Sequence, residues 1–146
     1  MRNARRDLDE VLRLTLDHFQ ADTGTLHVLG SDGLLHLRAW VGNIPDELLP
    51  VIRTIPIGKG IAGLAVQRNE PVDFCNLQTD QSGTARPGAP KTGVRGSLCV
   101  PLTSRGRTAG ALGIGTSVER DFSDEEIALL METGRLVSDI STVADG

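Results

Sequence analysis

Two stretches of this chain, 25 to 41 and 94 to 116, each consist of two β-prone runs joined by a short polar turn. This pairing limits the fold more than any other feature. In the first stretch, runs 25 to 29 and 34 to 41 flank Gly30-Ser31-Asp32-Gly33, which is tight-hairpin chemistry. In the second, runs 94 to 102 and 108 to 116 flank Thr103-Ser104-Arg105-Gly106-Arg107. Strands that follow one another so closely pair antiparallel, because a parallel pair needs a crossover of about a dozen residues or more. Amphipathic helices are expected on either side. Leu8, Val11, Leu12, Leu16 and Phe19 recur at three- and four-residue steps, with Asp7, Asp9 and Glu10 near the start and Gly24 as a stop. At the other end Ser123 is placed to cap a helix with Glu126 as its reciprocal partner. Ile127, Leu130, Met131, Gly134, Val137 and Ser141 then mark one side of that helix, and Leu129, Leu136 and Val143 a second.

Shorter elements fill the middle. Residues 45 to 53 predict a brief helix with Pro45 in its first turn, limited by Pro50. Residues 60 to 69 predict another, and Pro71-Val72-Asp73-Phe74 a short strand. Residues 75 to 93, rich in glycine and proline, form a long loop and a candidate lid. The order gives an α+β domain with a central, mainly antiparallel sheet of about five or six strands. No repeat or linker divides it, so residues 1–146 are one domain with a core over about 8–141.

Residues 58 to 63 read Gly-Lys-Gly-Ile-Ala-Gly, which is literally G-x-G-x-x-G. The dinucleotide fingerprint requires a buried strand before it and a crossover helix after it in a parallel unit. Here two prolines fall within residues 50 to 56, the following helix is short and the sheet is antiparallel, so that use is rejected. Two readings stay open. The glycines allow a tight turn and a helix start close to the sheet, or the N–H groups of Gly60, Ile61 and Ala62 face a polar or anionic ligand.

Composition removes several function classes. The net charge is −4, and Arg2, Arg5 and Arg6, the densest basic cluster, read as a solvated helix start, so no nucleic-acid partner is expected. One Trp, three Phe and no Tyr are too few for a base-stacking platform. No apolar run reaches membrane-spanning length and no hydrophobic signal core opens the chain, so a cytoplasmic location without membrane attachment is the expectation. Cys75 and Cys99 are too few for a disulfide framework and lack the neighbours of a zinc site. No metal site and no catalytic set are expected, and the sequence names no cofactor.

The ordered motifs carry a resemblance. "IPIGKGIAGLAVQRNEPVDFCNLQTD" resembles the middle of a GAF domain, "SLCVPLTSRGRTAGALGI" its Ser-x-x-x-Pro-Leu strand and glycine-bearing partner, and "FSDEEIALL" its closing helix. The resemblance implies an antiparallel sheet with the first and last helices on one face. Short helices and a loop cover a small-molecule cleft on the other. It also implies a sensory role in signal transduction and homodimerisation through helices near 4–20 and 123–143, and with no catalytic set in the residues a non-enzymatic module is the expectation. The alternative to a partner is that both apolar sides of the terminal helices are buried within one chain.

Other members of the family suggest rival activities. Free methionine-(R)-sulfoxide reductases are similar but use several cysteines, one of them in the loop before the Ser-x-x-x-Pro-Leu strand. Residues 76 to 98 contain none, so a redox enzyme here would rely on Cys99, Cys75 or both. Cys99, among apolar neighbours, reads as an inert thiol. Asp73-Phe74-Cys75-Asn76 matches three of four positions of a bilin-attachment motif. Cyclic-nucleotide-binding relatives carry an Asn-Lys pair where this chain has Thr116-Ser117. Haem would need a histidine, and His27 and His36 are placed to face each other across the first hairpin. A ligand-free dimerisation module is a further reading. Candidate ligand-binding residues are therefore Arg38, Trp40, Gly60, Ile61, Ala62, Asp73, Cys75, Arg95, Ser97 and Cys99. Alternation sets Arg95, Ser97 and Cys99 against Val94, Leu98 and Val100, and His36, Arg38 and Trp40 against Leu35, Leu37 and Val41. Arg38 or Arg95 would pair with an anionic ligand or snorkel along an exposed face, and Trp40 would supply an apolar wall.

Overall fold

The computed structural model describes residues 4–42, 44, 46–74 and 95–145. Its elements follow the expected order with one addition, the short strand β3: α1 (Ala4–Phe19), β1 (Thr23–Leu29), β2 (Leu34–Val41), a 3-10 turn (Asp46–Leu48) running into α2 (Leu49–Ile52), β3 (Thr54–Pro56), α3 (Gly60–Arg68), β4 (Val72–Phe74), β5 (Gly96–Ser104), β6 (Arg107–Thr116) and α4 (Asp124–Asp145). The predicted loop 75 to 93, and Val94 at the expected start of β5, lie outside the described residues.

The six strands form one sheet in the order β3-β2-β1-β6-β5-β4, and every pairing is antiparallel. The second hairpin turns on Arg105 (φ 53°) and Gly106 (φ 77°). Two successive positive φ values match the turn to the right-handed strand twist. In the first hairpin Asp32 accepts the Leu34 N–H at 3.0 Å, and Gly33 takes φ 80°.

Two cores lie on opposite faces of the sheet. One holds Leu8, Leu12, Leu16 and Phe19 of α1 and Leu130 and Val137 of α4. These pack against Leu26, Ala39, Leu98, Val100, Leu102, Leu112 and Ile114. The other is smaller and lies under α3: Leu35, Ile55, Ala65, Val66, Val72, Cys99 and Ala111. Gly134 lets α4 settle onto β5, where a Cβ would stand 3.2 Å from a Leu102 methyl. The capping box at α4 forms as expected: Ser123 N–H donates to Glu126 at 3.0 Å and Glu126 N–H to the Ser123 hydroxyl at 3.1 Å.

Gly24 is not the stop of α1. The helix ends at Phe19, and Gln20 takes the left-handed conformation (φ 54°) while Ala21 N–H bonds the Leu16 carbonyl. Gly24 instead lies inside β1 where α1 crosses it, and a Cβ there would meet the Leu12 side chain at 3.0 Å. At its described positions, Leu129 and Leu136, the second apolar side of α4 is not buried within the chain. Leu129 is 42% and Leu136 60% exposed, and Leu14 on α1 is 62% exposed. The reading in which one chain buries both sides is therefore overturned at these positions. No described helix is long and apolar enough to cross a membrane.

Candidate functional site

The sheet face beneath α3 is organised in rows set by strand register. One row runs Trp40–Thr25–Gly113–Cys99–Val72 across β2, β1, β6, β5 and β4. On one side of it lies Leu37–His27–Ala111–Pro101, and on the other Thr23–Gly115–Ser97–Phe74. The helix α3 covers the Ala111 side, where His27, Ala111 and Pro101 are buried. In the middle row Trp40, Thr25 and Gly113 are only half-buried, as is Ser97 beside them. A glycine that solvent reaches at the centre of a six-stranded sheet marks an open floor. A Cβ on Gly113 would stand 3.2 Å from the Thr25 hydroxyl and 3.7 Å from the Cys99 sulfur. Those two side chains therefore bound a shallow, side-chain-free spot.

Trp40 reaches this floor because β2 carries a bulge. Leu26 pairs with Ala39 but His27 pairs with Leu37, so Arg38 is an extra residue. The expected alternation of His36, Arg38 and Trp40 against Leu35, Leu37 and Val41 is broken there. Leu35, Leu37 and Trp40 share the cleft face, while Ala39 and Val41 pack on the helix side. Histidines 27 and 36 do not face each other: His36 pairs with Val28, one position along from His27, and so lies on the opposite face. There its ring meets the Asp32 carboxylate at 2.9 Å. This bond and the Leu34 N–H, the larger cause, hold the Asp32 carboxyl below its usual range.

The structure brings Trp40, Ser97 and Cys99 onto one face, with Gly60, Ile61 and Ala62 at the start of α3 above it. Ser97 directs its hydroxyl to the Ile114 carbonyl at 3.4 Å. Asp73 is exposed on the edge strand and pairs with Leu98, whose side chain enters the helix-side core, so Asp73 does not share the cleft face. Arg38 and Arg95 are both exposed, and Arg95 precedes β5, tied by its N–H to the Thr116 carbonyl at 2.7 Å. Cys75 lies outside the described residues. Cys99 is 3% exposed, and burial pushes the pKa of its thiol up to about 12. A thiol so protonated is a poor nucleophile at neutral pH.

The glycine string has two separate structural causes. Gly58 (φ 88°) and Gly60 (φ 65°) need left-handed backbone. Gly63 needs space, because a Cβ would fall 2.5 Å from the Pro56 carbonyl oxygen. Thr116 and Ser117 are also used locally. The Thr116 hydroxyl donates to the Val118 carbonyl at 2.7 Å, and Ser117 N–H to Asp22 at 2.7 Å. Sequence reasoning missed Thr25, because its role appears only when β1 lies between β2 and β6.

The GAF domain model matches residues 5–140. The chain belongs to the GAF domain family. Solved structures agree with this placement. The GAF domain of an Acinetobacter phosphoenolpyruvate-protein phosphotransferase superposes with TM-score 0.82 at 21% identity, over 99% of this chain and 86% of that one. Its counterpart from Coxiella burnetii gives 0.81 at 22% over the same shares. A type II free methionine-R-sulfoxide reductase from Thermoplasma acidophilum gives 0.78 at 23%, over 94% and 91%. At these identities the likeness is one of fold. No curated protein matches the sequence.

Proposed function

We propose that this GAF domain is a sensory or regulatory module that binds a small molecule on the open floor between Trp40, Thr25, Gly113 and Ser97. A second copy pairs with it through α1 and α4. The floor carries the reading: solvent reaches a glycine at the centre of the sheet, beside a tryptophan and two hydroxyl side chains. Concave, largely apolar surfaces with a few polar groups are the usual form of ligand sites. Leu14, Leu129 and Leu136, exposed on two helices that pack together, supply an apolar face for the partner copy. Native mass spectrometry of freshly purified protein tests both halves. The expected spectrum is a dimer carrying an additional small mass. A bare dimer would support the dimerisation-module reading, and a bare monomer would defeat both halves.

The sulfoxide-reductase reading needs a reactive thiol. Cys99, buried and held protonated, does not supply one in this conformation. Turnover of free methionine-(R)-sulfoxide that is lost in Cys99→Ser or Cys75→Ser would reverse this assignment.

A further inference from the structure

His27 lies in the row next to the floor, between Leu37 and Ala111, and is 2% exposed. Its Nε2 stands 2.8 Å from the carbonyl oxygen of Ile52. A carbonyl oxygen accepts and cannot donate, so Nε2 carries a proton. Burial lowers the pKa of the ring, the Ile52 carbonyl opposes this more weakly, and the His36 charge adds to the lowering. The ring is thus neutral, with its one proton on Nε2. Nδ1 is then a lone-pair acceptor, and it is buried with no hydrogen-bond partner. Buried polar atoms are nearly always satisfied by protein, ligand or ordered water, so this one calls for a donor that the chain itself does not supply.

We propose that the molecule held on the sheet face presents an uncharged N–H or O–H donor, an amide or a hydroxyl, to Nδ1 of His27. The assignment rests on the reading of that face as a ligand site and adds the chemistry of the ligand. Thr25 lies two residues along the same strand face, about 7 Å away, and Trp40 flanks it, so an amide or hydroxyl attached to an apolar body matches the lining. A carboxylate or phosphate at the same point would set lone pair against lone pair. Nδ1 is sealed from bulk solvent, so the donor that meets it lies at the inner edge of the floor, where the row of His27 passes beneath α3.

Benzamide and benzoate share a shape, but one donates and the other is an acceptor-only anion. The 15N-labelled full chain is titrated with each while the His27 ring nitrogens, the Gly113 amide and the fluorescence of Trp40 are followed. Before addition Nδ1 should show the lone-pair type of shift and Nε2 the protonated type. Benzamide should move Nδ1 upfield together with Gly113 and bind at least about tenfold more tightly than benzoate. In His27→Leu, which offers no acceptor at that point, that preference should vanish while the Gly113 amide still reports a folded domain. An Nδ1-protonated ring, equal binding of both probes, or a Gly113 response with Nδ1 unmoved would overturn the donor assignment alone. If neither probe perturbs Gly113 or Trp40, the ligand-site reading fails and the assignment with it.

Discussion

A methyl group on residue 63 would sit 2.5 Å from the Pro56 carbonyl oxygen and 3.1 Å from the Gly58 nitrogen, both of them backbone atoms with little room to retreat. Gly63→Ala should therefore lower stability by about 1–3 kcal/mol, seen as a reduced urea midpoint with unchanged slope; an unchanged midpoint would contradict the packing described. At His27 the sign of the pH effect follows from its lowered pKa. The unfolded chain takes up a proton near the ordinary 6.5 while the folded chain does not. Stability should be full above pH 6.5. As pH falls below that value it should decline by up to about 1.4 kcal/mol per pH unit, until the lowered folded pKa is reached. Urea titrations across this window should show the decline in the native chain and a flatter profile in His27→Gln. The glycine string was legible as backbone chemistry from its context, but the separate causes at Gly58, Gly60 and Gly63 were not. Close approach to Pro56 depends on where β3 runs.

At the scale of elements, local chemistry transmitted well and cross-strand relations did not. The α4 capping box could be read from Ser123 and Glu126 because both partners lie within one turn. Ser123→Ala should cost about 1 kcal/mol, measurable as a lower melting temperature. The Glu126 N–H then loses its acceptor, while the bond from the residue 123 N–H, the main cause holding the Glu126 carboxyl below the usual range, survives the substitution. Arg120 was not legible in the same way. Its guanidinium joins the Phe19 carbonyl to the Glu126 carboxylate and lies 4.8 Å over the Phe122 ring, so it ties the end of α1 to the start of α4 across a hundred residues of sequence. The bulge at Arg38 was equally hidden. One extra residue on β2 moves Trp40 to the cleft face, and nothing in the local pattern announces it, because a bulge is a relation between two strands. Asp73 was misplaced for a related reason: which face it takes is set by Leu98 on the neighbouring strand.

For the whole molecule, element order was enough to indicate a mainly antiparallel sheet with helices packed on it, because hairpins force antiparallel neighbours, and the resemblance to GAF domains implied that the first and last helices share one face. They did not indicate which row of the other face stays open. That depends on how far α3 extends over the sheet, leaving Gly113 reachable while Ala111 is buried. The helix side makes its own prediction. Leu136→Glu places a charge on an exposed position, so the monomer fold should keep its far-UV spectrum while sedimentation shifts from dimer to monomer and the melting temperature loses its dependence on protein concentration. Leu136 also borders a surface groove beside the turn of the second hairpin, on the α4 side of the molecule and away from the floor. The central claim is that the glycine floor holds a molecule, and Gly113→Val tests it by filling the floor while leaving the helix face untouched. Native mass spectrometry should show a dimer with an added small mass for the native chain and a dimer without it for Gly113→Val. The same added mass on both proteins would contradict the account, as would its absence from the native chain.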